Sequence, residues 1–218
     1  MNKKLKVGVL ASGNGSNLQA IIDRSVRGEL DAEVVCVITN RADAFALERG
    51  RNHGIPAIHL NHRDFPGREA YDAALVTALR DHGVELVVLA GFMRIITRVL
   101  LDAFPMSVMN VHPALLPSFP GLDAQKQALT HGAKLTGCTV HFVDEGTDTG
   151  PIIIQAAVPI LAGDTVETIS QRIHIQEHRI YPQAIQLFAQ GRLTVEGRRV
   201  VVTGNHAPED SALTNPAA

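Results

Sequence analysis

The sequence has no tryptophan, two cysteines in 218 residues, and only 4% aromatic residues. It also has no excess of positive charge, since 22 Asp and Glu balance 20 Lys and Arg, a formal net charge of −2. A nucleic-acid-binding surface needs a basic footprint, and a base-stacking platform needs aromatic side chains. The composition therefore predicts no nucleic-acid partner and a protein that handles a small molecule.

Long hydrophobic runs are also missing. No run approaches the roughly 20 residues that span a bilayer. The apolar run after the basic start stops at Ala11, so neither a secretory signal nor a membrane partner is expected. Cys36 and Cys138 lie in β-branched, strand-like runs, and we interpret them as buried small hydrophobes rather than a disulfide or a metal site. These features predict a cytoplasmic protein.

Strand-like and helical patterns alternate through the first half of the chain. Hydrophobic residues make up 45% of the sequence and charged residues 19%, which is a globular composition. The predicted strands are 6–10, 34–39, 57–60 and 85–90, and the predicted helices are 17–27, 42–53 and 68–82. Such alternation indicates βαβ units, and it predicts the α/β class with a doubly wound, mostly parallel sheet related to the Rossmann arrangement.

The second half of the chain predicts an antiparallel addition to that sheet. Its strand-like segments are 107–111, 135–143 and 152–158, and a helical segment covers 121–131. The short connection between the last two strands predicts that they pair with each other in antiparallel fashion. Segments 193–195 and 200–202 predict a terminal hairpin.

A long helical pattern covers residues 165–190 and contains Pro182. Proline lacks the amide hydrogen that a helix interior uses, so a kink or break is predicted near Tyr181. We expect residues 1–204 to form a single domain and residues 205–218, which are polar and rich in Pro and Ala, to form a disordered tail.

A glycine-rich segment, Gly13-Asn14-Gly15-Ser16-Asn17, lies between the first strand and the first helix. Backbone amides and the helix dipole can bind an anion at such a place. A dinucleotide fingerprint would need a glycine where Leu18 stands, and no Gly-Lys-Ser/Thr of a Walker motif follows. The loop therefore predicts a single phosphate rather than NAD or ATP, with a tight turn capped by Ser16 or Asn17 as the structural alternative.

The segment Asn110-Val111-His112-Pro113 lies at the predicted carboxyl end of a strand, where open α/β sheets place their sites. Because side chains alternate along a strand, Asn110 and His112 are expected on one side. An amide donor beside an imidazole suits the stabilisation of a developing oxyanion. The alternative is a histidine whose hydrogen bonds are made by turn backbone.

Asp148 begins a second polar turn, Asp148-Thr149-Gly150-Pro151. An aspartate near His112 could fix the imidazole tautomer, raise its pKa or accept a proton. Asp is also common at the start of a turn before Gly-Pro, and the sequence leaves both interpretations open. His174 and His178 have the spacing of helical metal ligands, but no partner set completes a site, so no metal is predicted.

Ten segments in this order resemble the folate-dependent glycinamide ribonucleotide formyltransferase family of purine biosynthesis. Each motif is weak alone, but their collinear order from about Val7 to Leu193 is specific. The segments are 12–19, 42–45, 68–72, 89–94, 110–113, 115–117, 120–122, 137–143, 148–151 and 176–178 with 181–182. The resemblance implies a formyltransferase-like fold, with 10-formyltetrahydrofolate as co-substrate and glycinamide ribonucleotide as acceptor.

The resemblance also implies roles for matching residues. Asn110, His112 and Asp148 match the family's catalytic trio. Gly13, Asn14, Gly15, Ser16 and Asn17 match the loop that holds the ribonucleotide phosphate, and Glu177 matches a ribose contact. The implied folate-binding positions are Arg68, Leu89, Phe92, Met93, Arg94, Ile95, Ile96, Asn110, Val143 and Asp144. The stretch Asp144 to Thr147 departs from the family pattern, and the residues after Val195 carry no recognisable match.

The implied reaction is direct formyl transfer through a tetrahedral intermediate, with Asn110 and His112 on the oxyanion and Asp148 supporting His112 and moving a proton. Two alternatives share the trio: a formyltransferase for another amine, and a formyltetrahydrofolate hydrolase. An alternative of another class is a phosphate-binding module without catalysis. The sequence also leaves the oligomeric state open, a homodimer included.

Overall fold

Nine β-strands lie in one sheet within residues 3–204, the part of the chain that the computed structural model describes. The strands are β1 (Leu5–Ala11), β2 (Ala32–Thr39), β3 (Ala57–His59), β4 (Leu86–Leu89), β5 (Val108–His112), β6 (Leu135–Phe142), β7 (Ile152–Pro159), β8 (Leu193–Glu196) and β9 (Arg199–Val202). The helices are α1 (Ser16–Val26), α2 (Phe45–Asn52), α3 (Arg68–Asp81), α4 (Arg98–Ala103), α5 (Ala124–Thr130) and α6 (Val166–Ala189), and a 3-10 turn covers His62–Asp64. The tail predicted for 205–218 lies outside the described residues.

The first five strands are parallel and adjacent in the order β3-β2-β1-β4-β5. Their side chains are apolar on both faces, since Val7 and Val9 pack into one core and Leu10 into the other. The strand order reverses direction at β1, between β2 and β4, and this switch opens a crevice at the carboxyl ends of the strands. The prediction of a doubly wound parallel sheet is confirmed.

The antiparallel addition is also confirmed. Strand β6 pairs antiparallel with both β5 and β7, so the sheet continues across β5 without a gap. Strands β8 and β9 form the predicted hairpin, and β9 joins β7 through the pair Ile152 and Arg199. Residues from the carboxyl end of β5 and from the β6–β7 loop therefore meet at one place.

Helices cover both faces of the sheet. One core lies under α1 and α6, with Leu18, Ile21, Ile173 and Ile180 buried against the strands. The other lies under α3 and α4, around Leu75, Leu79 and Leu100. Helix α4 and the 3-10 turn were not predicted, because six and three residues are too short for a helical period to show.

Of the kink or break predicted near Tyr181, the break is wrong, because α6 runs uninterrupted from Val166 to Ala189 through the buried Pro182. Packing offsets the missing amide: Tyr181 is fully buried, and its hydroxyl lies 3.1 Å from the carbonyl oxygen of Leu89 and 2.9 Å from that of Met109. Burial raises the pKa of this hydroxyl and keeps it a donor. The helix is thereby fixed to the carboxyl end of β4 and to Met109 near the start of β5.

Two predicted helices begin later than expected. Helix α2 starts at Phe45 rather than residue 42, since Ala44 is extended at φ −67° and ψ 119°. Helix α5 starts at Ala124 rather than residue 121, because Gly121 and Asp123 have φ of 80° and 55°. Both starts follow loop geometry that an apolar period does not reveal.

Candidate active site

The glycine loop is held in shape by α2. Gly15 has φ +75° and faces α2 so closely that a side chain there would lie 2.9 Å from the Ala46 methyl carbon. The Ala46 amide donates to the Gly13 carbonyl at 3.1 Å, and the Arg49 guanidinium donates to the Asn14 backbone and side-chain oxygens at 2.8 and 2.9 Å. Arg49 could not be identified from the sequence, because its contact depends on where α2 packs.

The loop leads directly into the amino terminus of α1. Gly15 is the N-cap residue, and Ser16 is already the first helical residue, so the alternative of a cap by Ser16 or Asn17 is wrong. The first-turn amides are therefore available to an anion, and the helix dipole favours one. Asn17 turns its amide nitrogen to the Glu177 carboxylate at 2.9 Å.

A cavity of about 290 Å³ opens over this loop. It is lined by all five residues of the glycine loop and by Ala90, Gly91, Met93, Val111, Pro113, Gln125, His174 and Glu177. Glu177 is 4% exposed, and burial raises the pKa of its carboxyl. The structure thus brings Glu177, from the last long helix, to the loop that the sequence assigned to the same ligand.

Asn110 and His112 stand at the end of β5, and their neighbours Val111 and Pro113 line the cavity. The His112 Nδ1 atom lies 3.2 Å from Asp148 Oδ2, and its Nε2 atom lies 2.8 Å from the Phe119 carbonyl oxygen. Since both ring nitrogens face acceptors, the protonated ring satisfies both. The sequence could not show that Asp148 reaches His112, and the structure places them in contact.

Backbone groups around Asp148 fix the position of its side chain. It has φ +55°, and its Oδ2 atom also accepts the Gly121 amide at 2.8 Å. Gly150 lies directly against the Phe142 carbonyl oxygen, where a side chain would collide. The Asp144 carboxylate closes the other end of the loop by accepting from the Gly146 amide and the Thr149 hydroxyl at 3.1 and 2.6 Å.

His141 is a member of the site to which the sequence assigned no role. It lies opposite Asn110 across the β5–β6 pair, and its Nε2 atom is 3.3 Å from the Asn110 amide nitrogen and 3.7 Å from Asp148 Oδ1. Its Nδ1 atom donates to the Phe142 carbonyl at 2.8 Å, so Nε2 is left to accept from Asn110. Burial lowers the pKa of His141, in keeping with a neutral ring.

The residues expected to bind folate divide into three groups. Leu89, Phe92 and Ile96 are buried in the core under α3 and α4, so a ligand reaches their backbone rather than their side chains. Met93 and Ile95 are 65% and 62% exposed. Val143 packs against the core, while Asp144 holds its own loop as described.

Arg68 and Arg94 lie together in a second cavity of about 200 Å³, which His62, Phe65, Gly67 and Tyr71 complete. Among the described residues, neither the buried Tyr71 hydroxyl nor the buried His62 Nδ1 atom has a hydrogen-bond partner. Two guanidinium groups beside two polar atoms without partners form a site whose chemistry suits the binding of a carboxylate. Since Met93 lines the first cavity and Arg94 the second, residues 91–96 connect the two.

A family model described as formyl transferase matches residues 5–185, which include the trio, the glycine loop and Glu177. The chain belongs to the formyl transferase family. The phosphoribosylglycinamide formyltransferase of Escherichia coli (strain K12) is 44% identical over 204 residues, which are 94% of this chain and 96% of that protein. The crystal structure of glycinamide ribonucleotide transformylase 1 from Symbiobacterium toebii superposes with a TM-score of 0.91 at 55% identity, over 93% of this chain and 95% of that one.

Two further formyl transferase relatives are longer than this chain. The trifunctional purine biosynthetic protein adenosine-3 of Drosophila pseudoobscura pseudoobscura is 51% identical over 94% of this chain, which spans 15% of that protein's length. A formyltetrahydrofolate deformylase from Pseudomonas syringae pv. tomato has a TM-score of 0.85 at 30% identity, with 66% of its chain covered. The fold is therefore shared by transferases and by a deformylase.

Residues 3–204 contain neither a metal-binding cluster nor a membrane-spanning helix. That range holds no group of three or more His, Cys, Asp or Glu side chains arranged to bind a metal ion. His174 and His178 instead stack with their rings 6.3 Å apart and 8° from parallel. None of the helices described for this family member has the length and apolarity needed to cross a bilayer.

Proposed function

We propose that the protein transfers the formyl group of 10-formyltetrahydrofolate to the amine of glycinamide ribonucleotide, a step of purine biosynthesis. The contact of His112 with Asp148, beside Asn110 and next to the glycine-loop cavity, carries this proposal. Family membership supports it, since phosphoribosylglycinamide formyltransferases match this chain over nearly their whole length.

Each substrate has a region of suitable chemistry. The free amides at the start of α1 bind the ribonucleotide phosphate, and Glu177 accepts hydrogen bonds from the ribose hydroxyls. The folate lies along residues 91–96, with its ring system on backbone groups and its glutamate carboxylate at Arg68 and Arg94. A chain without tryptophan holds the pterin by backbone and aliphatic contacts.

In the transfer step, the substrate amine attacks the formyl carbon and forms a tetrahedral intermediate whose former carbonyl oxygen carries negative charge. The Asn110 amide and the cationic His112 ring stabilise that charge, with the oxyanion replacing the Phe119 carbonyl as the acceptor at Nε2. Asp148 balances the His112 charge and helps the amine proton reach N10 of the folate, directly or through water. The C–N10 bond then breaks, releasing tetrahydrofolate and the formylated amide.

The test is a spectroscopic assay of folate deformylation under three conditions: with glycinamide ribonucleotide, with the same molecule lacking its phosphate, and without any acceptor. Full activity is expected only with the ribonucleotide. His112→Ala should lower kcat by about 10²–10³ while substrate binding survives, because one oxyanion donor is lost. His59→Ala, at an exposed position in β3, is the matched control.

Two outcomes of this assay would contradict the proposal. Folate turnover without any acceptor would favour a hydrolase, the activity named for the Pseudomonas syringae relative. Binding of the ribonucleotide with no turnover by the wild type would favour a module that binds phosphate without catalysis.

We also place the reaction in the cytoplasm as part of this proposal. Cys36 and Cys138 are buried thiols, and burial raises the pKa of each to about 12, so they are inert small hydrophobes. Unpaired buried thiols suit a reducing compartment. A homodimer stays a prediction, which sedimentation would test.

A further inference from the structure

The β8–β9 hairpin lies outside the family match, which ends at residue 185. Its second strand pairs with β7 at Ile152, only four residues after Asp148. The turn of the hairpin, around Gly197 with φ +61°, is therefore beside the loop that carries Asp148. No motif in this hairpin was used in assigning the function.

Arg198, at the tip of this hairpin, makes a direct contact with that loop. Its Nη2 atom donates to the Thr149 carbonyl oxygen at 2.9 Å. That carbonyl is part of the peptide bond between Thr149 and Gly150. Holding it therefore limits rotation of the backbone next to Asp148. The loop is also held at its own ends, through Asp144 and through the Phe142 amide donating to Pro151. Further contacts come from the Gly121 amide on Asp148 and from an exposed ion pair of Glu145 with Arg98 at 3.2 Å, but Arg198 holds the peptide next to Asp148.

The Asp148 loop needs such support because its geometry is unfavourable in isolation. Asp148 has φ +55°, in the left-handed region that is unfavourable for residues with a side chain. Its carboxylate must nevertheless meet His112 at 3.2 Å and the Gly121 amide at 2.8 Å. A small rotation of the backbone at 148–149 would move the carboxylate away from both partners.

We propose that Arg198 is a positioning residue, which by holding the Thr149 carbonyl keeps the Asp148 carboxylate at His112. It does not touch the reacting atoms and acts through the loop. The proposal rests on the formyl transfer proposed above. It adds a contribution to catalysis from a segment beyond the family match.

The activity test compares Arg198→Ala with Arg199→Ala, which changes the adjacent exposed arginine on the strand. Arg198→Ala should lower kcat about three- to tenfold, the worth of one hydrogen bond, with the KM of both substrates unchanged. Arg198→Lys should restore part of the rate, and Arg199→Ala should behave as wild type.

A second measurement does not depend on activity. The Gly121 amide donates to Asp148 Oδ2, so its hydrogen exchange reports where the carboxylate lies. Exchange should accelerate in Arg198→Ala and stay unchanged in Arg199→Ala. Unchanged exchange and kcat in Arg198→Ala, or equal losses in both variants, would overturn the inference. A wild type without formyl transfer would refute the proposed function instead, and the exchange result would still decide the role of Arg198.

Discussion

At the scale of single residues, two histidines of one network have different roles because their hydrogen-bond partners differ. His112 faces two acceptors, the Asp148 carboxylate and the Phe119 carbonyl. His141 has the Phe142 carbonyl at Nδ1 and the Asn110 amide at Nε2, while Asp148 Oδ1 is farther from Nε2, at 3.7 Å. The first ring is therefore suited to stabilise negative charge, and the second to orient the amide that shares this task.

The role of His141 can be tested by His141→Phe. The Asn110 amide would lose its buried partner, so kcat should fall about tenfold, while the KM of both substrates stays within about twofold. His141→Gln supplies an acceptor to Asn110 and should recover part of the loss. Steady-state kinetics of the two variants provide the check, and a rise in KM with kcat unchanged would contradict an orienting role.

The site could be predicted only where its residues are close in sequence. Strand alternation was enough to place Asn110 and His112 on one side, and the glycine pattern was enough for the loop at α1. His141 and Arg49 were not predicted as site residues, because their contacts arise from strand register and helix packing, which no local pattern encodes. Asp148 was named as a candidate, but its contact with His112 depends on the β5–β6 pairing.

At the scale of elements, Tyr181 links the longest helix to the strands that carry the site. Its hydroxyl lies within hydrogen-bond distance of two carbonyls of buried residues, Leu89 at the end of β4 and Met109 near the start of β5. This link explains why the break predicted in α6 does not occur. Pro182 predicts a break from local chemistry alone, and the tertiary contacts beside it keep the helix whole.

The link predicts the effect of Tyr181→Phe. The Leu89 and Met109 carbonyls would lose a buried donor, so the free energy of unfolding should fall by about 1–3 kcal/mol. Tyr71→Phe is the matched control, because the buried Tyr71 hydroxyl has no partner among the described residues and its removal should cost little. Urea denaturation of both variants measures the difference, and equal losses would show that the link is not stabilising.

At the scale of the whole molecule, the formal net charge is −2, and the positive charge near the site comes from a few arginine side chains. Arg49 donates hydrogen bonds to the glycine loop, and Arg68 and Arg94 line the second cavity. The strand and helix order could be predicted from the sequence, because buried strands and amphipathic helices alternate regularly. The joining of nine strands in one sheet could not, since the position of β9 beside β7 depends on a single long-range pair.

Protonation of His178 and His141 should lower the stability of the protein on mild acidification. Burial, His174 and Arg49 lower the pKa of His178, and burial lowers that of His141. A lowered histidine pKa contributes stability above the unfolded value, about 6.5, and this contribution is lost as pH falls toward the folded value. Between pH 7 and 5, the free energy of unfolding should therefore fall more steeply in wild type than in His178→Phe.

Chemical denaturation at several pH values measures this difference. His59→Phe serves as the control, because His59 is exposed in β3 and its replacement should leave the slope unchanged. Parallel curves for wild type and His178→Phe would show that the proton on His178 has no part in acid sensitivity.

The antiparallel join between β5 and β6 has a consequence for how the chain could be divided. His112 ends the parallel half, and Asp148 and His141 belong to the antiparallel half, with the surface turn at 131–134 between them. A cut in that turn would leave an incomplete catalytic set on each fragment. Restoration of the proposed formyl transfer after mixing the fragments would then require that the two pieces dock with β5 and β6 in register, which makes this protein a candidate reporter for complementation.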